Sequence, residues 1–222
     1  MVDTIVFDLD GTLLNTLEDL MDSVNYVMRQ YDLPEHSLEE IRTYVGNGAA
    51  KLIERAIPQG MENPDYDGIF AMFREYYQAH CEEKTGPYDG IMDMLAGLKQ
   101  EGYRMAIVSN KPDGAVKLLF DKYFGEYVQS GVGEHPGAEK KPAPDMVLQA
   151  LEELSSDVSH AVYVGDSEVD LQTAANVPMS CISVLWGFRT EEELLASGAA
   201  REKMIRTPQE LLPYLRSLNR AE

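Results

Sequence analysis

The sequence predicts a doubly wound α/β fold: a mostly parallel sheet with an all-helical insertion near its start. Three observations predict it. Short β-branched runs at Thr4–Phe7, Arg104–Val108, His160–Val164 and Ser180–Val184 alternate with amphipathic helical segments, the pattern of right-handed parallel crossovers. From Asn15 to about Lys84 the alternation stops, and helical periodicities follow one another with no convincing strand. At Thr85-Gly86-Pro87 a breaker restores it. A chain of 222 residues is long enough for a core with an inserted smaller domain, and these breaks place the core at 1–15 and 86–222 and the insertion at 16–85.

Taken in order, Thr4-Ile5-Val6-Phe7 reads as a buried strand. It runs into Asp8-Leu9-Asp10-Gly11-Thr12-Leu13, and Thr16-Leu17-Glu18-Asp19 then reads as a capping box that opens a helix. Leu20, Val24, Val27, Met28 and Tyr31 keep helical spacing until Leu33-Pro34 stops it. Ser37-Leu38-Glu39-Glu40 is a second capping box. Gly46-Asn47-Gly48 precedes a helix with the apolar face Leu52, Ile53, Ala56 and Ile57, and Tyr66, Ile69, Phe70, Phe73, Tyr76 and Tyr77 mark a longer aromatic one.

Beyond the breaker, Ile91, Leu95 and Leu98 mark a helix that Gly102 ends. The Arg104–Val108 strand is expected to stop at Ser109-Asn110, and a helix to run from Pro112 to Tyr123 with proline in its first turn. Tyr127-Val128-Gln129 is a candidate short strand, and Gly131 to Pro142 reads as a loop. A helix over Asp145–Leu154, the strand ending at Gly165-Asp166, a helix over Leu171–Asn176 and the Ser180–Val184 strand follow. Thr207-Pro208-Gln209-Glu210 caps a final helix to about Leu218.

The net charge of −19 argues against nucleic acid, whose phosphates need a basic surface, and against anionic membranes. A small phosphate ester remains open, because a metal ion and a few cations reverse the sign locally. Cys81 and Cys181 lie far apart with no metal-ligand spacing, which fits a reduced, cytoplasmic setting. His36, His80, His135 and His160 show no pairing pattern, and none is assigned to a metal. No secretory signal is expected at the start, and no apolar run approaches transmembrane length. The expected state is a monomer or homodimer.

Asp8 follows the first strand, Ser109 the second and Asp166 the fourth, so all three leave carboxyl ends, where open α/β sheets place ligands. Two carboxylates as close as Asp8 and Asp10 repel unless a cation or a proton intervenes. Asp-x-Asp-Gly is also a common turn composition, and the spacing of an EF-hand loop is missing. Convergence of several strand ends on one rim is what favours chemistry over a simple turn.

Asp8-Leu9-Asp10-Gly11-Thr12-Leu13, Ser109-Asn110, Lys141-Pro142-Ala143-Pro144 and Gly165-Asp166-Ser167-Glu168-Val169-Asp170 resemble, in order, the four motifs of the haloacid dehalogenase-like superfamily. The resemblance spans nearly the whole chain, and Tyr44-Val45-Gly46-Asn47-Gly48 is similar to the phosphoglycolate phosphatase group within it. It implies a Rossmann-like core, a mobile helical cap, and a Mg²⁺-dependent phosphatase acting on a small soluble phosphomonoester, with 2-phosphoglycolate first among candidates.

By the same resemblance Asp8 is the nucleophile and a metal ligand. Asp10 is the general acid and base, and its backbone carbonyl a further metal ligand. Ser109 and Asn110 offer a hydroxyl and an amide to phosphate oxygens ahead of a helix, although the pair also reads as a helix cap. Lys141 stabilises the phosphoryl group, with Lys140 as its rival; Asp166 completes a shell of hard oxygen ligands suited to Mg²⁺. Asp170 either orients a metal-bound water or Lys141, or closes a capping box with Ser167.

Gly46, Asn47, Gly48 and Lys51 are candidate contacts for the non-phosphate end of the substrate, or simply a helix start; Arg42 and Arg55 are further cations there. Trp186-Gly187-Phe188-Arg189 either joins the rim or packs in the core. Asn15 stands where relatives often carry Asp, and Ser109 where they often carry Thr. The Asp-x-Asp pattern, rather than the Asp-x-Tyr of dehalogenases, favours phosphoryl transfer. A sugar-phosphate mutase, a pyrophosphatase and a nucleotidase are rivals on the same residues, and a non-enzymatic phospho-switch is a rival of another class.

Overall fold

The computed structural model describes residues 1–221. In chain order it contains β1 (Thr4–Phe7), β2 (Leu14–Asn15), α1 (Leu17–Gln30), α2 (Leu38–Tyr44), α3 (Ala49–Ala56) and α4 (Tyr66–His80). Then come β3 (Gly86–Pro87), α5 (Ile91–Gln100), β4 (Arg104–Pro112), α6 (Asp113–Leu119), β5 (Ser130–Glu134) and α7 (Asp145–Glu153). The chain finishes with β6 (Ala161–Gly165), α8 (Glu168–Asn176), β7 (Ser180–Val184), α9 (Glu191–Ala196), β8 (Met204–Ile205) and α10 (Leu211–Ala221).

Six strands form one parallel sheet in the order β5-β4-β1-β6-β7-β8, and the two-residue strands β2 and β3 pair separately. β1 is central, with Thr4 in register with Arg104 on one side and Ala161 on the other. The chain moves from β1 outward through β4 to β5, then returns to β6 on the opposite flank. That reversal makes the carboxyl ends of β1 and β6 a topological switch point, the place where such sheets leave a crevice. Alternation along β1 explains the layers. Ile5 and Phe7 pack with Leu95 and Leu98 of α5, Leu119 of α6 and Leu215 of α10. Val6 faces the other way, onto Met146 and Val147 of α7 and Ala174 of α8. A sheet apolar on both faces needs helices on both, and that is the doubly wound arrangement.

The chain divides into two compact units, Met1–Leu14 with Pro87–Glu222 and Asn15–Gly86. The second is helical, built from α1 to α4. Val24, Val27 and Met28 of α1 and Ile69, Phe73 and Tyr77 of α4 are buried, and the Tyr26 and Tyr76 rings stack with centroids 3.8 Å apart. Ser37 and Glu40 form the reciprocal capping box expected of them at the start of α2.

Several local expectations are corrected. Thr16 makes no side-chain cap bond, and its partner in the expected box is committed elsewhere: Asp19 accepts the backbone N–H groups of Lys84 and Thr85 at 2.9–3.1 Å. The strand expected at Tyr127–Gln129 is instead a turn, in which the Tyr127 and Val128 N–H groups donate to the Phe124 carbonyl, and β5 lies at Ser130–Glu134 within the expected loop. The glycines there obscure it. A Cβ on Gly133 would fall 2.5 Å from the Asp113 Cα, so packing selects glycine where strand propensity would not.

β4 does not stop at Ser109 but continues to Pro112, with its register against β5 interrupted between Val108 and Pro112. The helix expected over Pro112–Tyr123 is therefore shorter, beginning at Asp113, with its last turn at Phe120–Phe124 widened to a π turn. The short α9 and β8 carried too little periodicity to be read from sequence.

Candidate active site

β1 is made of β-branched and aromatic residues and is wholly buried, and it delivers Asp8 to the switch point. The next turn is tight. The N–H groups of Thr12, Leu13 and Leu14 all donate to the Leu9 carbonyl, and Gly11 adopts φ +89°. Glycine is required here twice over, since a Cβ would lie 2.3 Å from the Asp166 Oδ2. The Trp186 indole, two residues after β7, donates to the Thr12 carbonyl at 2.9 Å and fastens this turn. Trp186 thus packs against the core while bracing the rim, so both readings of that segment hold.

Four of the singled-out residues meet in one buried group. Lys141 donates from Nζ to the Asp8 Oδ1 at 2.7 Å and to the Asp170 Oδ1 at 2.9 Å. Asp8, Asp166 and Asp170 each place a carboxylate oxygen within 4.8 Å of the others. Asp166 follows β6 and is held by the Phe188 N–H at 2.6 Å and by the Thr12 hydroxyl at 3.3 Å. Asp170 does two things at once. Its Oδ2 accepts from the Ser167 N–H at 3.1 Å and hydroxyl at 2.7 Å at the head of α8, while Oδ1 faces Lys141. Lys140, the rival lysine, is exposed.

The electrostatics follow from burial. Burial pushes the Asp8 carboxyl up to about 7; Lys141 opposes the rise, and the Asp170 and Asp10 charges add to it. Burial also drives Asp166 well above the ordinary carboxylate value, with Asp170 and Asp8 adding to the rise. Burial works against the Lys141 charge, yet Asp170 and Asp8 outweigh it and hold this lysine well above its ordinary value. Three carboxylates face one ammonium, a formal excess of two negative charges in a dry, all-oxygen setting. That donor set and that charge fit a hard divalent cation.

Asp10 stands apart from this group. Its Oδ1 pairs with the Lys111 Nζ at 2.8 Å, and its Oδ2 accepts from the Ser109 hydroxyl at 3.3 Å. Ser109 lies on β4, four residues before α6, so it is not a cap of that helix. It also accepts the Lys111 N–H at 3.1 Å. The Asn110 amide donates to the Lys141 carbonyl at 3.0 Å and ties the second strand end to the lysine loop.

Gly46, Asn47, Gly48 and Lys51 lie in the helical unit. Gly48 precedes α3 with φ +86°, Asn47 accepts from Arg55 at 2.8 Å, and Lys51 pairs with Glu54 at 2.6 Å. Arg42 pairs with Glu39 at 2.6 Å.

Sequence reasoning missed Lys111 and Tyr163. The Tyr163 hydroxyl accepts from Lys141 at 2.9 Å and donates to the Asp170 Oδ1 at 3.2 Å. The signal for Tyr163 was a hydroxyl inside an apolar strand. For Lys111 it was an ammonium on a strand tip directly after Ser109-Asn110. Arg189 is held by Glu168 at 2.9 Å on the rim beside Phe188.

Comparisons with known proteins bear on the family and the fold. A family model described as haloacid dehalogenase-like hydrolase matches residues 5–184. A phosphoglycolate phosphatase from Pseudomonas putida is 32% identical over 190 residues, covering 83% of this chain and 70% of its own. A solved structure from Lactobacillus delbrueckii subsp. bulgaricus, provisionally assigned as a phosphoglycolate phosphatase, is 34% identical with a TM-score of 0.90, covering 94% of this chain and 96% of its own. CbbY from Rhodobacter sphaeroides, solved in complex with phosphate, is 28% identical with a TM-score of 0.77, covering 95% and 96%. The chain belongs to the haloacid dehalogenase-like hydrolase family, in its group of phosphatases that resemble phosphoglycolate phosphatase.

Proposed function

We propose that the chain is a Mg²⁺-dependent phosphatase that hydrolyses a small phosphomonoester through an aspartyl phosphate on Asp8, with 2-phosphoglycolate the leading substrate. The observation that carries this reading is the buried, charge-unbalanced group of Asp8, Asp166 and Asp170 around Lys141 at the sheet's switch point. Mg²⁺ held by Asp8, Asp166 and the Asp10 backbone carbonyl would neutralise that excess and polarise the phosphoryl group.

The chain's own residues divide the remaining work. Lys141 fixes Oδ1 of Asp8 and leaves Oδ2 to attack phosphorus. As the new O–P bond forms, the bond to the leaving oxygen breaks, and that oxygen takes its electron pair and a proton from Asp10. In the second half Asp10 takes a proton from the attacking water, the P–O bond to Asp8 breaks, and inorganic phosphate leaves. Ser109 and Asn110 are the candidates for the phosphate oxygens, and Asp170 with Tyr163 keeps Lys141 charged and aimed.

In this reading residues 16–85 are the cap and 1–15 with 86–222 the core, bounds that lie one residue from those of the two compact units, and Gly46, Asn47, Gly48 and Lys51 are the cap's candidates for the non-phosphate end. A cytoplasmic setting fits a chain in which no described helix is long and apolar enough to cross a membrane.

The names of the relatives and the phosphate complex of the CbbY structure support the phosphoryl class. A phosphate-release screen over small phosphate esters, with and without Mg²⁺ and ranked by kcat/KM, tests the reading. Mg²⁺-dependent release, highest for 2-phosphoglycolate, is expected. Absence of release from every ester would refute it.

A further inference from the structure

We propose that Lys111 selects the leaving group, its ammonium receiving an anionic group carried on the carbon next to the ester oxygen. The proposal rests on Asp10 being the residue that protonates that oxygen.

Lys111 occupies the irregular end of β4, and its side chain is only 4% exposed. Burying an ammonium is costly unless it is paired. The Asp10 Oδ1 pairs with that of Lys111 at 2.8 Å. The phosphoryl side of the site already has an ammonium of its own, because Lys141 is committed to Asp8, Asp170 and Tyr163. Holding Asp10 does not by itself require a charge, since the Ser109 hydroxyl already donates to its other oxygen. The ammonium of Lys111 is therefore a second positive charge on the side where the leaving group departs.

Distance gives the ligand class. A leaving oxygen that takes a proton from Asp10 comes within about 3 Å of its carboxyl. The Lys111 Nζ lies 2.8 Å from Oδ1 of that carboxyl, so it comes within two hydrogen-bond lengths of a leaving oxygen that takes its proton from Oδ1. A carboxylate on the adjacent carbon falls inside that range, whereas a charge several carbons further along does not. Lysine suits the exchange of one carboxylate partner for another, being a compact charge with rotatable donors on a flexible stem.

The test uses two substrates that differ in one group, 2-phosphoglycolate and its carboxamide, in the wild type and in Lys111→Met, Lys111→Gln, Lys111→Arg and Lys51→Met. The readout is the ratio of the two kcat/KM values, so any loss shared by both substrates cancels. The wild type should favour the carboxylate on the order of 10- to 100-fold, the range of a charge-assisted hydrogen bond in a buried site. Lys111→Met and Lys111→Gln should bring the ratio to within about threefold of one, and Lys111→Arg should keep part of it.

A wild type without preference overturns the proposal without any variant having to fold. So does a ratio that survives in both neutral variants, or one that collapses in Lys51→Met instead. If the wild type releases phosphate from neither substrate nor from an aryl phosphate, the phosphatase reading itself fails and this proposal with it. Release from the aryl phosphate with no carboxylate preference removes only this proposal.

Discussion

The strand ends of the core and the Gly46–Lys51 segment of the helical unit both carry the residues a phosphate ester would call for, yet they are built in different ways. In the core, Asp8, Lys141 and the Asp166–Asp170 pair come from three separate stretches of chain and are all buried. In the helical unit, charges pair with near neighbours at the surface: Lys51 with Glu54, Arg42 with Glu39, both three residues apart. The core arrangement exists only because the sheet assembles it, and each charge there depends on the others. The helical arrangement is local and loosely held. Breaking a buried pair leaves an uncompensated charge and costs about 3–5 kcal/mol, whereas an exposed pair contributes about 0–1 kcal/mol.

That contrast can be broken at its strongest point first. Asp8→Asn should lower turnover of any phosphate ester on the order of 10⁴-fold or more while the fold survives, because the amide has the shape of the carboxylate but not its nucleophilicity. Steady-state phosphate release together with circular dichroism checks it. Turnover within tenfold of wild type, a bound set by the size of a typical unit loss, would refute the assignment.

Next in size is Lys141→Met. It strands Asp8 and Asp170 and removes a partner of Tyr163, so stability should fall by about 3–5 kcal/mol in urea denaturation, along with activity.

A subtler effect comes from protons. In the metal-free protein the Asp8 carboxyl is raised from 3.8 to about 7, so folding favours its protonated form. Its contribution to stability is fully present below the unfolded value and is lost as pH rises through about 7. A bound cation needs the carboxylate, so Mg²⁺ and protons compete. The rise in Tm on adding Mg²⁺ should be large at about pH 8 and small at about pH 5.5. A rise independent of pH across that range would show that Asp8 is not a ligand.

The smallest effect belongs to the helical unit. Lys51→Ala should change stability by less than about 1 kcal/mol, its partner Glu54 being free to meet water. A loss as large as that of Lys141→Met would erase the distinction between the two regions.

The same distinction decides what was legible in the sequence. Asp8, Ser109 and Asp166 were placed on one rim because each ends a recognisable apolar run, and parallel topology does the rest. The Ser37–Glu40 box was readable because it is complete within four residues. The matching box at Thr16–Asp19 was misread because Asp19 is claimed by Lys84 and Thr85, far along the chain. β5 was misplaced for a similar reason, its glycines being selected by Asp113 and Phe120 across the packing. Lys111 and Tyr163 were missed because burial gives them their partners, and the local sign each carries, a polar group inside or at the tip of an apolar strand, does not name that partner.

The central claim is that a single strand-end carboxylate carries the phosphoryl group between ester and water. Acid quench during turnover of 2-phosphoglycolate labelled in its phosphoryl group, followed by peptide mapping, tests it most directly. The account predicts label on the peptide that contains Asp8, absent from the Asp8→Asn protein. Label on another residue, or steady turnover with no labelled protein at any quench time, would contradict it.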